Sequence, residues 1–65
     1  MRHQMKIKIR FCELEIGDRF INNGTLFIKV PTFFSNGGPY NCISIKAAAN
    51  NYATFVADKE EIEKL

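Results

Sequence analysis

The stretch Phe11-Cys-Glu-Leu-Glu-Ile-Gly-Asp-Arg-Phe-Ile-Asn-Asn-Gly-Thr-Leu-Phe-Ile-Lys-Val30 decides the fold class. Two short runs rich in Val, Ile, Phe and Thr flank Asn22-Asn23-Gly24. Asn and Gly both tolerate the positive φ that a two-residue primed turn demands, so the segment reads as a tight β-hairpin. Upstream, Gly17-Asp18 interrupts the apolar series of Leu14 and Ile16 and predicts a turn into Arg19-Phe20-Ile21. Downstream, Leu26, Ile28 and Val30 share one strand face, and Thr25, Phe27 and Lys29 share the other. Phe27 is then either exposed or turned toward a second layer. Pro31 lacks an amide donor and is expected to end regular pairing.

Working outward, Met5-Lys-Ile-Lys-Ile-Arg-Phe11 alternates charged and apolar residues with period two. That pattern predicts a half-buried edge strand with Ile7, Ile9 and Phe11 inward. Thr32 to Tyr40 reads as the longest loop, with Ser35-Asn-Gly-Gly-Pro39 at its tip and Phe33-Phe34 at its base. Tyr40, beside glycine and proline, is expected to be exposed. Tyr40 to Lys46 alternates again, with Ile43 and Ile45 inward, then Ala47-Ala-Ala-Asn-Asn51 predicts a turn and Tyr52 to Ala57 a last strand. Asp58 suits an N-cap, with Lys59 to Leu65 as one or two helical turns that place Ile62 and Leu65 on one face. The expected architecture is all-β: a small antiparallel barrel of about five strands, SH3-like or OB-like, with a short C-terminal helical turn. Closure would cover the edges that five short strands otherwise expose.

The chain has 65 residues, so residues 1–65 make one small domain in the size range where stability is marginal without a staple or a partner. Homo-oligomerisation is expected. An apolar content of 46% argues against disorder, and no run approaches the ~18 consecutive apolar residues of a spanning helix. With no signal-peptide-like apolar segment after Arg2, Lys6 and Lys8, a cytoplasmic location is expected. Cys12 and Cys42 are expected to be reduced thiols rather than a disulfide. With His3 as the lone imidazole, they do not supply the ligand spacing of a zinc site, so neither a metal nor a cofactor is expected. Net charge is +2, with Arg2, Lys6, Lys8 and Arg10 crowded at the start and Asp58, Glu60, Glu61 and Glu63 at the end. Mutual attraction of the two ends explains this distribution more simply than a phosphate-binding surface does.

Several short motifs recur in a known setting: Phe11-x-x-Leu14-x-x-Gly17-Asp18-x-Phe20, Asn23-Gly24-x-x-Phe27-x-Lys29-Val30, Asn41-Cys42-Ile43-x-Ile45 and Phe55-x-x-Asp58. Across residues 11 to 58 the chain resembles small all-β bacteriophage and prophage proteins, a family of mostly unknown function. Those proteins share a Leu-x-x-Gly-Asp-x-Phe opening and an Asn-Ala-Ile/Val strand. Cys42 stands in place of the usual alanine, and Ala47 to Asn51 in place of a glycine-containing turn. The resemblance implies a phage-encoded viral protein acting in the host cytoplasm by binding, either inhibiting a host defence protein or sequestering a nucleotide signal.

No activating base or orienting group accompanies a nucleophile, and Glu13 and Glu15 read as solvated carboxylates beside a turn, so no enzyme is expected. The expected ligand or partner surface combines the loop residues Phe33, Phe34, Asn36 and Tyr40 with Arg10, Arg19, Lys29 and Lys46. Aromatic rings would stack on bases or fill a partner's pocket, while the amide and the cations would meet polar edges and phosphate. Two alternatives stay open: a small barrel that binds single-stranded nucleic acid, and a virion accessory or structural protein.

Overall fold

The computed structural model describes residues 7–45 and 52–65. Six strands form one antiparallel sheet: β1 (Ile7–Arg10), β2 (Arg19–Asn22), β3 (Thr25–Ser35), β4 (Gly38–Ser44), β5 (Ala53–Thr54) and β6 (Glu61–Lys64), in the spatial order β1-β6-β2-β3-β4-β5. The all-β class holds, with six strands among the described residues where about five were expected. β1 and β5 are the two ends of the ladder, so among the described residues the sheet is open and not closed into a barrel. The turn expected at Ala47–Asn51 lies outside the described residues, as do residues 1–6 and Lys46.

The β2–β3 hairpin turns at Asn23 (φ 53°) and Gly24 (φ 77°), the left-handed pair that a primed turn requires. Ahead of it, each residue of the Leu-x-x-Gly-Asp-x-Phe segment has a task. Leu14 is buried, the Asp18 carboxylate accepts from the Glu15 amide (2.9 Å), and Gly17 adopts φ 97°. Asp18 and Gly17 then extend the ladder, since the Lys29 amide donates to the Asp18 carbonyl and the Gly17 amide to the Lys29 carbonyl. Phe20 then enters the core.

The C-terminal segment departs from expectation. Instead of a helix capped by Asp58, it forms β6, inserted between β1 and β2. A seven-residue helix has little stability of its own, whereas a strand in this slot pairs its backbone on both sides. The alternation of Glu61-Ile62-Glu63 suits the slot: Ile62 is buried opposite Ile9, and Glu61 and Glu63 face Arg10 and Lys8 across the ladder. Lys8 and Arg10 thus stand beside Glu63 and Glu61 as neighbouring rows of one sheet.

The core occupies one sheet face and comprises Phe11, Leu14, Phe20, Phe27, Cys42, Val56 and Ile62, with Ile9 packed against it. Phe11 and Leu14, from a single 3-10 turn over Phe11–Glu13 and the residue after it, fold over this face together with Val56. Phe11 therefore enters the core from that turn, while Ile7, expected inward, is exposed at the edge. Phe20 joins the cluster's rings, edge-on to Phe11 and stacked on Phe27, both at 5.5 Å between centroids. Phe27 thus faces the core, which puts Leu26, Ile28 and Val30 on the outer face. Likewise in β4, Cys42 and Ser44 are fully buried while Ile43 and Ile45 are only half-buried, the reverse of the expected orientation.

Pro31 perturbs pairing without ending it. The β3–β4 register runs to Lys29↔Cys42, shifts, and resumes at Phe33↔Tyr40, so that Val30, Pro31 and Thr32 bulge opposite the single Asn41. The segment expected to be a loop is therefore the outer half of one long hairpin. Of the expected last strand Tyr52–Ala57, only Ala53–Thr54 pairs as β5.

Candidate functional site

Beyond the bulge, the β3–β4 hairpin continues as an arm. Its turn, Asn36 (φ 48°) and Gly37 (φ 82°), repeats the Asn-Gly chemistry of the β2–β3 turn. Residues 31–37 and Pro39 are all exposed, so the arm extends past the packed part of the sheet. Phe33 and Tyr40 are cross-strand partners whose rings meet at 5.6 Å. Tyr40 also leans over Gly38, where a Cβ would come within 3.6 Å of its hydroxyl. Tyr40 is consequently half-buried rather than exposed. Phe34, paired with Pro39 on the other side of the arm, is the most exposed aromatic among the described residues at 76%.

The expected site residues separate into three groups. Phe33, Phe34, Asn36 and Tyr40 come together on the arm. Arg10 and Arg19 are exposed on the outer face of the sheet, Arg10 opposite Glu61 and Arg19 opposite Ile28. Lys29 turns inward: its ammonium donates to the carbonyls of Leu14 (2.7 Å) and Phe11 (3.3 Å) and lies 4.6 Å from the centre of the Phe11 ring. It fastens the 3-10 turn to the sheet by satisfying carbonyls at the end of that turn. Lys46 lies outside the described residues.

A cleft of about 340 Å³ opens between the β2–β3 turn and the chain around β5. Phe27 forms part of its wall with the Tyr52 ring edge-on at 5.9 Å, and Asn22, Thr25 and Phe55 contribute further lining. The sequence reading missed this cleft because it took Tyr52 to Ala57 as a continuous strand. Glu60 is the one charged residue in its lining among the described residues, and none of those residues offers a cation to a phosphate. The other carboxylates near turns act locally: Glu13 accepts from the Arg10 amide at 3.0 Å, and Asp18 from the Glu15 amide. Among the described residues, no three His, Cys, Asp or Glu side chains cluster as metal ligands, and no helix is long and apolar enough to cross a membrane.

Both cysteines are free, Cys12 exposed and Cys42 fully buried with its thiol 3.6 Å from the Thr54 carbonyl. Burial pushes the Cys42 thiol from 9.0 up to about 11. Iodoacetamide at pH 8 is therefore expected to label Cys12 alone in the folded protein, and both cysteines in urea. Because the folded thiol holds its proton longer than the unfolded one, the contribution of Cys42 to stability is constant well below pH 9 and falls as the pH rises toward 11. Mass spectrometry of the alkylated protein and melting curves across that range check the two statements.

No family model matches this chain. No curated protein and no solved structure matches it either.

Proposed function

We propose that the chain is a non-enzymatic binding protein that attaches to another protein through the aromatic arm. The observation that carries this reading is the display of Phe34 and Phe33 on an arm outside the core. An exposed phenylalanine contributes little to folding, and large aromatic side chains are the residues that anchor protein interfaces when a pocket covers them. The arm is rigidified by cross-strand pairing and by the Phe33–Tyr40 contact, so little entropy is lost on docking. The resemblance to small phage proteins supplies the biological setting: a phage-encoded protein in the host cytoplasm, with a host defence protein as the partner.

The charge distribution favours a protein over a phosphate-bearing ligand. Arm residues 31–40 include no Lys or Arg, and Lys29 at the arm's base is engaged internally. Single-stranded nucleic acid could stack on Phe33, Phe34 and Tyr40, but binding it also requires cations along the strand.

Affinity capture from bacterial cells, comparing the wild type with Phe34→Ala, tests the proposal. One protein is expected to be enriched by the wild type and depleted at least about tenfold by the variant, which corresponds to the loss of a modest aromatic anchor. Unchanged capture by Phe34→Ala would refute arm-mediated docking. Salt-sensitive binding of an oligothymidine, or a retained mass of a few hundred daltons in native mass spectra, would replace the protein partner with nucleic acid or a nucleotide.

A further inference from the structure

Asn23-Gly24 and Asn36-Gly37 both close two-residue turns with positive φ at each position. Asn-Gly is also the dipeptide in which the second residue's amide nitrogen reaches the asparagine side chain most readily, because glycine puts no Cβ in the way. That attack requires the asparagine to leave the left-handed conformation of the turn. A closed turn therefore protects its asparagine, and the reaction follows how often the turn opens.

The two turns are held very differently. At Asn23-Gly24 the hairpin pairs from Asn22↔Thr25 through Arg19↔Ile28, and both of its strands are also bonded on their outer sides. β2 pairs with β6 at Phe20 and Ile21, and the Leu26 carbonyl in β3 accepts from the Ile45 amide. The buried, stacked rings of Phe20 and Phe27 lie just behind the turn, so opening it disturbs the core. At Asn36-Gly37 three pairs, Ser35↔Gly38, Phe34↔Pro39 and Phe33↔Tyr40, precede the bulge. Pro39 has no amide, so Phe34↔Pro39 is the unbonded pair of the alternation, and two bonded pairs hold the turn. Neither strand of the arm has an outer neighbour there among the described residues, and a second glycine, Gly38, follows the first.

We propose that Asn36 is a site of spontaneous deamidation in the folded protein, selected over Asn23 by the free edges of the arm. The Gly37 amide nitrogen loses its proton and attacks the Asn36 side-chain carbonyl carbon. A carbon–nitrogen bond forms to close a succinimide, and the side-chain nitrogen leaves as ammonia. Water then opens the ring at either carbonyl, giving aspartate or isoaspartate with no change of oxidation state. Residues 31–40 include no charged side chain, so the new carboxylate is the first charge on the arm and stands two residues from Phe34. Isoaspartate also lengthens the backbone by one carbon and dissolves the two-residue turn. Where the arm docks through Phe34 as proposed above, ageing of Asn36 then weakens docking, since a carboxylate carried into an apolar pocket loses its hydration.

The purified protein, incubated at mildly alkaline pH and digested in acid, is mapped by tandem mass spectrometry. Asn36 is expected to gain about one dalton at least about tenfold faster than Asn23 in the folded protein, and at a comparable rate in urea. Tyr40→Ala, which removes the ring contact with Phe33, is expected to speed the change at Asn36 and leave Asn23 as it was. Equal rates at the two sites in the folded protein, a faster Asn23, or an Asn36 rate indifferent to Tyr40→Ala overturns the proposal. Asn36→Asp keeps a residue that tolerates the turn, and it is expected to reduce affinity capture at least about threefold. Capture by Asn36→Asp equal to the wild type refutes the effect on docking. Capture unaffected by Phe34→Ala refutes the docking reading itself, and the mass change decides the deamidation site independently of both.

Discussion

Phe20→Ala is expected to remove a large share of the protein's folding stability at 25 °C. Phe20 has no solvent exposure, stacks on Phe27 and meets the edge of Phe11, and stands in the strand that joins β6 to β3. Truncating a buried phenylalanine costs about 3–5 kcal/mol, from lost transfer energy and from the cavity left behind. A 65-residue domain has a total stability of roughly 3–10 kcal/mol at ~0.05–0.15 kcal/mol per residue. The substitution thus removes a large share of the total. Urea titration followed by circular dichroism, at one fixed protein concentration, reads the effect as a collapse of the unfolding midpoint. Phe34→Ala is the matched control: the same atoms are removed from an exposed site, and its midpoint should shift by no more than about 0.5 kcal/mol. A Phe20→Ala variant as stable as that control would mean that the aromatic cluster is not what holds the two halves of the sheet together.

Local turn chemistry was the part of the fold most legible in the sequence. Asn23-Gly24 forms the expected hairpin, and Gly17-Asp18 forms the expected turn, each because a residue with accessible positive φ interrupts an apolar run. The same signal at Asn36-Gly37 was overridden by Pro31 and by the second glycine, so a strand hairpin was read as a loop. The bulge of Val30, Pro31 and Thr32 explains why the proline is tolerated: it stands where the ladder is already interrupted.

Which face of a strand is inward was much less legible. Where Leu26, Ile28 and Val30 alternate with Thr25, Phe27 and Lys29, counting apolar residues favours the aliphatic side. The structure chooses the other side because the aromatic rings of Phe11, Phe20 and Phe27 fit together and because Lys29 satisfies two carbonyls there. Neither reason is local in sequence. The same non-locality hid β6, whose strand conformation depends on the slot between β1 and β2. For the site, the aromatic cluster of the arm was legible from its composition, but the scattered cations were not. Arg10, Arg19 and Lys29 are separated by the fold, because alternation sends Lys29 inward and the two arginines outward.

Asn41→Asp is expected to make stability depend steeply on pH. Asn41 is buried where the bulge in β3 leaves the sheet edge irregular, and its side chain there does the work of a peptide group. Its Nδ2 donates to the Val56 carbonyl, and its Oδ1 accepts from the Val56 amide, both at 2.9 Å. That pair pins Val56 into the core after β5 has ended at Thr54. Asn41→Ala would leave a buried donor and a buried acceptor unpaired, at about 1–3 kcal/mol each. Aspartate has nearly the same shape and keeps the acceptor, but at pH 7 it places a carboxylate oxygen against the Val56 carbonyl and leaves a buried charge. Protonation restores the missing donor. The carboxyl's pKa in the folded variant is therefore raised above its unfolded value of about 3.9, so the stabilising contact is fully present below that pH and is lost as the pH rises through the folded pKa. Unfolding midpoints of Asn41→Asp, compared with the wild type at each pH, should approach it near pH 4 and fall well below it at pH 7. The Cys42 thiol reports the same event locally, since undocking Val56 and β5 opens it to iodoacetamide at pH 7. An Asn41→Asp protein equally stable at both pH values, with Cys42 still protected, would show that the Val56 segment is held by packing alone.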